Sequence, residues 1–389
     1  MNNSFFLYII LGLLAALATV VNNLFSPAMP SLVDYFQASE PMVQGGFAAG
    51  MLGLSLGTLL WGALSDAMGR RRPLLVSMGL FVVSTACILP VTSLNLFIAL
   101  RFVQGFTAAG GIAISRSVAT DSFAERNLLR AMAVINVVNG VMPIITPVVG
   151  GVMVGLADWR GVFAVMLGVG IVLAVGCLML KESLPVAKRN SHGFTDVFRQ
   201  FVAVFRNRKF MCMLMQQATA EVLLFGNLAS SAFIALRYGM GEYIGTTLAI
   251  NGVFIGLGAG LAAVLPSARA GVRVSCVGML AFTVVVAATL LLDLGFVYYE
   301  IAVCLMLAFM GITLTSSTTI ALDSARDHAG TASALSVAAG FLVGGVVAPV
   351  MGMGNILYST AITFVAGALM SSVFAILAFC GKEKKYTWS

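Results

Sequence analysis

Charge is what this chain has least of. Asp, Glu, Lys and Arg together make up 10% of its 389 residues, whereas 60% of the residues are hydrophobic. A water-soluble domain carries roughly 25% charged residues, so the composition excludes an ordinary soluble protein. Histidine occurs twice and cysteine six times, and no two cysteines form a C-x-x-C pair. These absences argue against a zinc site and a disulfide framework, and we expect neither a metal nor a cofactor.

The motifs of enzymes and of ATP-driven pumps are missing as well. No apolar segment contains a carboxylate pair, a histidine cluster or a Ser–His arrangement. No G-x-x-x-x-G-K-[ST] loop is available to bind nucleotide phosphates. No basic face is interleaved with stacking aromatic side chains, so nucleic acid is not an expected partner. We therefore expect no enzyme.

Long apolar runs dominate what is present. Each has about 20 residues or more, enough to cross a hydrocarbon core about 30 Å thick. The first run lacks a basic start and continues beyond signal-peptide length, so no signal peptide is separable. We number twelve runs as spans 1 to 12, namely 5–27, 43–64, 74–93, 95–118, 131–155, 161–181, 210–235, 244–266, 273–293, 298–320, 330–351 and 356–380. The sequence predicts an all-α, multi-pass membrane protein.

Basic residues lie on one side of this topology. With both termini cytoplasmic, only Arg160 and Arg237 of the 22 Lys and Arg residues fall outside, and only Arg101 and Arg116 fall within a span. All the others lie in cytoplasmic loops or the tail, which fits the positive-inside rule. The net charge of +7 then reflects this topology and contact with anionic membrane lipid.

One long polar interruption divides the spans into two pseudo-symmetric six-helix halves. We expect an N-terminal half over 1–181, a cytoplasmic linker over 182–209, a C-terminal half over 210–381 and a cytoplasmic tail over 382–389. Apolar residues recur at helical spacing over 194–205, which predicts an amphipathic helix on the membrane surface. The glycines at 256, 258 and 260, followed by Arg269 and Arg273, faintly repeat the loop between spans 2 and 3.

That loop, over 62–72, combines a glycine, an acid, a second glycine and three arginines in a short gap between apolar runs. Asp66 can pair with an arginine or with a helix N-terminus, and Arg70 can pair with Asp121 at the inner end of span 4. We expect a conformational latch, with a merely charge-solvating loop as the alternative. Its members would be Gly62, Asp66, Gly69, Arg70, Arg71 and Asp121.

Few polar residues lie inside the spans of the N-terminal half. A charged residue at the centre of a membrane helix costs about 2.5–3.5 kcal/mol on insertion scales, so each one is a candidate functional residue. Asn22 and Asn23 lie in span 1, and Arg101 and Gln104 share one face of span 4. The Arg101 guanidinium needs acceptors, which Asn23 or backbone carbonyls could supply. Both a structural and a coupling role are open.

Span 7 has the most polar interior of the C-terminal half, with Gln217, Glu221 and Asn227. Glu221 is the only carboxylate well inside any predicted span, and a carboxylate in a low-dielectric site can take up and release a proton. The alternative is a hydrogen-bonded Glu that lines a wet cavity without coupling. Five further acids, expected at outer boundaries in water, are Asp34, Glu40, Glu242, Asp293 and Glu300.

Span 5 carries prolines and glycines instead of titratable groups. Pro143 and Pro147 remove backbone donors and bend a helix, and Gly150 and Gly151 allow close helix approach. We expect helix bending and gating from these four residues.

Taken together, these elements resemble a known family. The 62–72 loop is similar to the pattern G-x-L-x-D-x-x-G-R-[RK]-x, and the segment 101–105 matches R-x-x-Q-G. The segment 143–151 matches P-x-x-x-P-x-x-G-G, and the segment 329–335 matches A-G-T-A-S-A-L. In this order they resemble the major facilitator superfamily, its twelve-span drug:proton antiporters, and among those the Bcr/CflA-like group. The resemblance implies a monomeric transporter of the bacterial inner membrane that binds a small molecule between its halves and exchanges it for protons.

One residue departs from that pattern. Relatives usually carry an Asp implicated in proton and substrate binding where this chain has Asn23, which does not titrate. We expect proton-coupled efflux of drugs or small metabolites by alternating access, with a specific metabolite or siderophore importer, or an uncoupled facilitator, as the alternative. The expected substrate-binding residues are Asn22, Asn23, Arg101, Gln104, Gln217, Glu221 and Asn227.

Overall fold

The computed structural model describes residues 3–123, 125–185, 201–325 and 329–380, and these are almost entirely helical. Within those ranges no β-strand occurs. We number the helices α1 (Asn3–Ala15), α2 (Leu17–Phe25), α3 (Met29–Phe36), α4 (Glu40–Met68), α5 (Arg71–Ile88), α6 (Leu94–Ser122), α7 (Glu125–Leu178), α8 (Arg208–Arg237), α9 (Ile244–Ala262), α10 (Ala268–Leu291), α11 (Phe296–Ser324), α12 (Ala329–Met351) and α13 (Ile356–Phe379).

The predicted spans map onto these helices with two irregularities. Span 1 is bent by 50° between α1 and α2, and Pro27 lies in a 3-10 turn that leads into α3. Spans 5 and 6 are both contained in α7, which leaves helical geometry at Ala157 and Asp158. Ten described helices are long and apolar enough to cross a membrane, and the bent first pair makes eleven. The break in α7 supplies the twelfth span, as predicted.

The chain turns alternately at two ends of this bundle. One end, here called the basic end, holds the turn between α4 and α5 with Arg70, the last turn of α6 with Asp121, and the start of α8 with Lys209. The other, called the opposite end, holds the break in α7 at Asp158 and the turns that precede α4, α9, α11 and α13. Most of the expected amphipathic segment 194–205 lies outside the described residues.

Glycines set the closest helix crossings, and these recur in both parts of the chain. A Cβ atom added at Gly105 of α6 would lie 2.0 Å from the carbonyl oxygen of Gly50 in α4. In the corresponding pair, a Cβ atom at Gly311 of α11 would lie 2.2 Å from the carbonyl oxygen of Ile255 in α9. Such contacts require a small residue. The α4–α6 and α9–α11 crossings therefore express the weak internal repeat seen in the sequence.

Side-chain hydrogen bonds join the first seven helices to the last six. The Ser26 hydroxyl donates to the Leu228 carbonyl at 2.5 Å, and the Ser55 hydroxyl of α4 donates to Ala338 of α12 at 2.7 Å. The Gln44 amide of α4 donates to the Ala229 carbonyl at 3.1 Å. All three bonds are buried, and none involves a charged group.

Candidate functional site

A cluster of charged side chains closes the basic end of the first seven helices. The Arg70 guanidinium contacts Asp66 one turn earlier, donates to Asp121 of α6 at 2.9 Å and to the Ser65 hydroxyl at 2.9 Å. The expected Arg70–Asp121 contact is therefore present. Since Arg70 is mostly buried and the Asp66 side chain is 51% exposed, the Asp121 contact is the better shielded of the two ion pairs.

The start of α5 ties this cluster to the end of α7. Gly69 has φ of 93°, a conformation that favours glycine, so the chain can turn sharply between α4 and α5. The Glu182 carboxylate accepts from the backbone N–H groups of Arg70 and Arg71 at 2.8 and 3.3 Å, which satisfies the first orphan donors of α5. Arg71 donates to the carbonyl of Leu180 at 2.7 Å. These links connect α4, the start of α5 and the segment that follows α7.

Arg101 is fully buried among the first seven helices, and no acidic side chain of the described residues pairs with it. Its Nη1 donates to the Gln104 Oε1 at 2.5 Å, and its Nε and Nη2 have no partner. The guanidinium lies 4.3 Å from the centre of the Phe25 ring, which offers a cation–π contact. Gln104 in turn donates to the Thr85 hydroxyl at 2.9 Å. The acceptor is thus Gln104, and neither Asn23 nor a backbone carbonyl has that role.

Glu221 lies midway along α8, whereas Arg101 lies near the start of α6, but Glu221 also uses an amide from its own helix. The Gln217 amide donates to its Oε1 at 3.0 Å, and Gln217 accepts from the Thr318 hydroxyl of α11 at 2.9 Å. The other carboxylate oxygen lies against Gly340 of α12, where an added Cβ atom would come within 1.6 Å. No Lys or Arg nitrogen lies within 4 Å of Glu221 in the described part of the chain. The Glu221 carboxylate is therefore in direct contact with α12. It has no counter-ion among the described residues.

The three asparagines predicted to bind substrate lie apart from both clusters. Asn22 and Asn23 are buried near the end of α2, and the Asn22 Oδ1 has no partner. Asn227 is buried in α8, where it accepts from the Tyr299 hydroxyl at 3.4 Å. The structure therefore distributes the seven predicted residues over separate polar clusters.

A cavity of about 420 Å³ lies between the two sets of helices, near the basic end. That volume falls in the range of small-molecule sites, about 300–1,000 Å³. Its lining includes none of the seven predicted residues, but it includes Gly62 and Asp66 of the expected latch. Polar lining comes from Thr19, Thr58, Asp66, Arg116, Ser117, Asn139, Thr331 and Ser333, and aromatic lining from Phe201 and Phe341.

The opposite end carries a separate depression of about 970 Å³ whose lining includes Asp34, Glu40, Arg237 and Asn355. It shares no lining residue with the cavity near the basic end. The buried hydrogen bonds of Gln44 and Ser26 lie between the two. In this structure the first seven and the last six helices are therefore hydrogen-bonded to each other between the cavity and the opposite end.

The prolines and glycines of span 5 face α2 and α9. A Cβ atom at Gly252 of α9 would lie 3.0 Å from the Pro143 carbonyl oxygen, and one at Gly150 would lie 2.8 Å from the Leu24 carbonyl oxygen. Gly151 lies against Gly245 of α9. The non-helical residues Ala157 and Asp158 separate spans 5 and 6 within α7, and a helix bend at Pro143 and Pro147 stays a prediction.

Sequence reasoning missed the residues that join the two sets of helices and those that line the cavity. Gln44 is the single amide of span 2 and Asn139 is one of two amides in span 5, and that contrast with the apolar surroundings was a signal that could have found them. The cavity also takes Thr58 and its neighbours from α4, a span not expected to contribute. Glu300, expected in water, has a carboxylate oxygen that is sealed from solvent.

A bundle of twelve membrane spans with a small-molecule cavity between two sets of helices defines a multi-pass membrane transporter. The sequence profile of the Major Facilitator Superfamily matches residues 11–349. The chain belongs to this superfamily, whose members are transporters and not enzymes.

Relatives match over nearly the whole chain. The MFS-type transporter YdgK of Bacillus subtilis is 29% identical over 389 residues, covering 97% of this chain and 95% of the relative. A bicyclomycin resistance protein homolog of Haemophilus influenzae is 23% identical, covering 97% and 96%. The partially occluded inward-open xylose transporter XylE from E. coli superposes with a TM-score of 0.76 at 13% identity over all of both chains. At that identity the structural likeness shows the fold alone.

Proposed function

We propose that this protein exports drugs or small metabolites across the bacterial inner membrane in exchange for protons. The observation that carries the proposal is the cavity of about 420 Å³ between the two halves, near the basic end. It offers one acid, one base, hydroxyls and aromatic rings, which suits small amphipathic molecules. The likeness to a bicyclomycin resistance protein homolog supports an exporter.

In this proposal the basic end faces the cytoplasm, so the cavity receives its cargo there. Both termini are then cytoplasmic, and the halves extend over 1–181 and 210–381, with 182–209 as linker and 382–389 as tail. Anionic lipids contact the basic end, and the protein acts as a monomer because each chain holds a complete cavity between its own halves.

The transport cycle alternates between openings at the two ends. Separation of Ser26 and Gln44 from their carbonyl partners in α8 opens the opposite end. Closing the cytoplasmic end brings the second half toward Asp66, which lies in the cavity lining together with Thr331 of α12. The Asp66–Arg70–Asp121 cluster then acts as the latch of that state, and Pro143, Pro147, Gly150 and Gly151 provide the gating surface.

Glu221 is the proposed proton carrier. As a neutral acid it can lie against Gly340 without an uncompensated charge, whereas the ionised form relies on the single Gln217 amide. Proton binding and release would therefore change how α8 and α12 pack. A substrate that moves deeper than the present cavity would meet further polar side chains. The proposed contacts are Arg101, Gln104, Asn22, Asn23, Gln217 and Asn227.

A second function on the same fold is a specific importer or uncoupled facilitator for a metabolite or siderophore. The observation that favours it is the first half itself, where the buried polar side chains around Arg101 include no acid in contact with it. Such a site suits neutral, zwitterionic or anionic cargo better than dicationic drugs.

Efflux from cells that lack their own pumps tests the proposal. Cells expressing the protein are loaded with lipophilic dyes, antibiotics and small metabolites, and export is followed with and without a protonophore, with Glu221→Gln as the matched variant. Protonophore-sensitive export that the variant lacks is the expected result. Export that ignores the protonophore, or uptake of one compound alone, would instead support the facilitator or importer.

A further inference from the structure

Glu300 is the buried acid that the proposed mechanism does not use. It lies near the start of α11 at the opposite end of the bundle, and its side chain is partly buried. Its Oε2 is sealed from solvent and has no hydrogen-bond partner within 3.5 Å, its Oε1 accepts from the Cys304 thiol at 3.7 Å, and Asn251 is a further weak donor to the carboxyl group. A thiol is a weak donor, so the carboxyl group has little to stabilise a negative charge.

The helix facing Glu300 brings an equally incomplete partner. Asn251 of α9 is 3% exposed, its Oδ1 accepts from the Cys304 thiol at 3.3 Å, and its Nδ2 has no partner. The Cys304 thiol thus lies between the Glu300 carboxyl group and the Asn251 amide, and each of these groups has a polar atom without a hydrogen-bond partner. Buried polar groups are normally satisfied, so these two orphaned atoms call for a ligand.

The third side of the cluster comes from α8. Tyr299, adjacent to Glu300, donates its hydroxyl to Asn227 at 3.4 Å, and the hydroxyl oxygens of Ser230 and Ser231 are buried without partners. These neighbours are neutral. No side chain of α10 hydrogen-bonds to Glu300, and no Lys or Arg nitrogen lies within 4 Å of it, in the part of the chain that the structure describes. The side chains recorded against the Glu300 carboxyl group in the described residues, Cys304 and Asn251, are therefore neutral.

A single proton resolves this arrangement. A neutral carboxylic acid removes the unpaired buried charge and gains an O–H that can donate to the Asn251 Oδ1, leaving the Asn251 amide free to face the acid's carbonyl oxygen. We infer that Glu300 forms a second proton-binding site of this protein, held by Asn251 and Cys304 at the opposite end. It is separate from Glu221, which lies midway along α8. Only its use in transport rests on the proposed proton coupling.

Infrared spectroscopy of the substrate-free protein in liposomes tests the site directly. The C=O stretch of protonated carboxyl groups is followed from a starting pH above the range in which exposed carboxylates titrate, about pH 4, to alkaline values. Wild-type protein should lose this band in two components, and Glu300→Gln should lack one of them. Glu221→Gln should keep the Glu300 component, and the exposed acid at the same end, Glu242→Gln, should leave the spectrum unchanged.

Two further variants keep the test decisive where Glu300→Gln folds poorly. Cys304→Ser replaces a weak donor by a stronger one and should move the midpoint of one component to lower pH. Asn251→Leu should move the same component and leave the other in place. A Glu300→Gln spectrum identical to wild type would overturn the inference, as would a band that responds to sodium at fixed pH. Because no substrate is present, a failure of proton-coupled transport would leave these results intact.

Discussion

Each half of the molecule buries one charged side chain, of opposite sign, and each of these side chains uses an amide from its own helix. In the first half, Arg101 is neutralised by no acid and uses the amide of Gln104, three residues later on its own helix. In the second half, Glu221 contacts no base and uses the amide of Gln217, four residues earlier. The device is matched, but the chemistry differs, since a guanidinium stays charged at any working pH whereas a carboxyl group can become neutral.

That difference assigns distinct tasks to the two halves. The Arg101 cluster keeps one charge state and one set of contacts with Phe25 and Thr85, so it suits a fixed frame. The Glu221 cluster can switch its charge, and its second oxygen touches Gly340 of another helix. Since Asn23 cannot titrate and Arg101 contacts no acid among the described residues, we propose that the proton switch lies in the second half.

The largest expected effect comes from removing that switch. Glu221→Gln keeps the size of the side chain and its contact with Gln217 but cannot ionise, so substrate-driven proton movement should be abolished. Reconstituted protein with a pH-sensitive dye inside the vesicles measures this, and thermal unfolding checks that the variant folds. Undiminished proton movement would contradict the assignment of the proton switch to Glu221.

The next effect tests whether the halves are equivalent in packing while they differ in charge. Gly105→Ala and Gly311→Ala each force a methyl group onto a backbone carbonyl across a helix crossing, and overpacking costs about 1–3 kcal/mol. Thermal unfolding should show a similar loss for both variants. Gly256→Ala is the matched control, because nothing lies within 4 Å of an added Cβ atom there. A loss confined to one half would break the structural equivalence.

A smaller effect should follow from moving the switch. Asn23→Asp introduces a titratable side chain at a buried position of α2, and combined with Glu221→Gln it should restore part of the proton movement that the single variant lacks. The same vesicle assay measures both variants side by side. If the double variant stays inactive, the first half cannot take over the task, and the difference between the halves goes deeper than one residue.

The smallest effect is expected at the latch. Asp66→Ala removes the more exposed of the two acids that contact Arg70, while Asp121 remains. Transport should slow a few-fold with little change in equilibrium binding, as transport rate and binding isotherms on the same preparation would reveal. A large loss of affinity would instead place Asp66 in the binding site, whose lining it already joins.

Much of the fold could be predicted because it depends on composition. Apolar runs of membrane-spanning length, the glycine-rich crossings and the motifs around Arg70 and Arg101 are local signals, and the structure has the matching helices and the Arg70–Asp121 contact. The cavity could not be predicted in the same way. Whether Thr58, Arg116 or Asn139 faces the space between the halves depends on how helices distant in sequence are rotated and tilted, which no local pattern records.

The surroundings of Glu300 could not be predicted from the sequence either. In the sequence it stands at the edge of an apolar run, where an acid normally reaches water. The structure places Asn251 of α9 and Cys304 of its own helix against it, and only that packing removes its solvent. Polar residues at span boundaries therefore need the neighbouring helix before their surroundings can be assigned.

The three hydrogen bonds that join the halves through Ser26, Gln44 and Ser55 have a consequence for how easily the opposite end opens. Each is a neutral side chain on a backbone carbonyl, and such bonds contribute about 0.6–1 kcal/mol apiece. Together these three bonds contribute about 2–3 kcal/mol, a factor of roughly 30 to 140 in favour of the joined helices. Thermal motion alone breaks bonds of this total strength often. Because all three bonds are between neutral groups, neither salt nor pH alters their strength. The opposite end would thus part without any change in charge, whereas the basic end, in our proposal, depends on the ion pairs of Arg70 with Asp66 and Asp121.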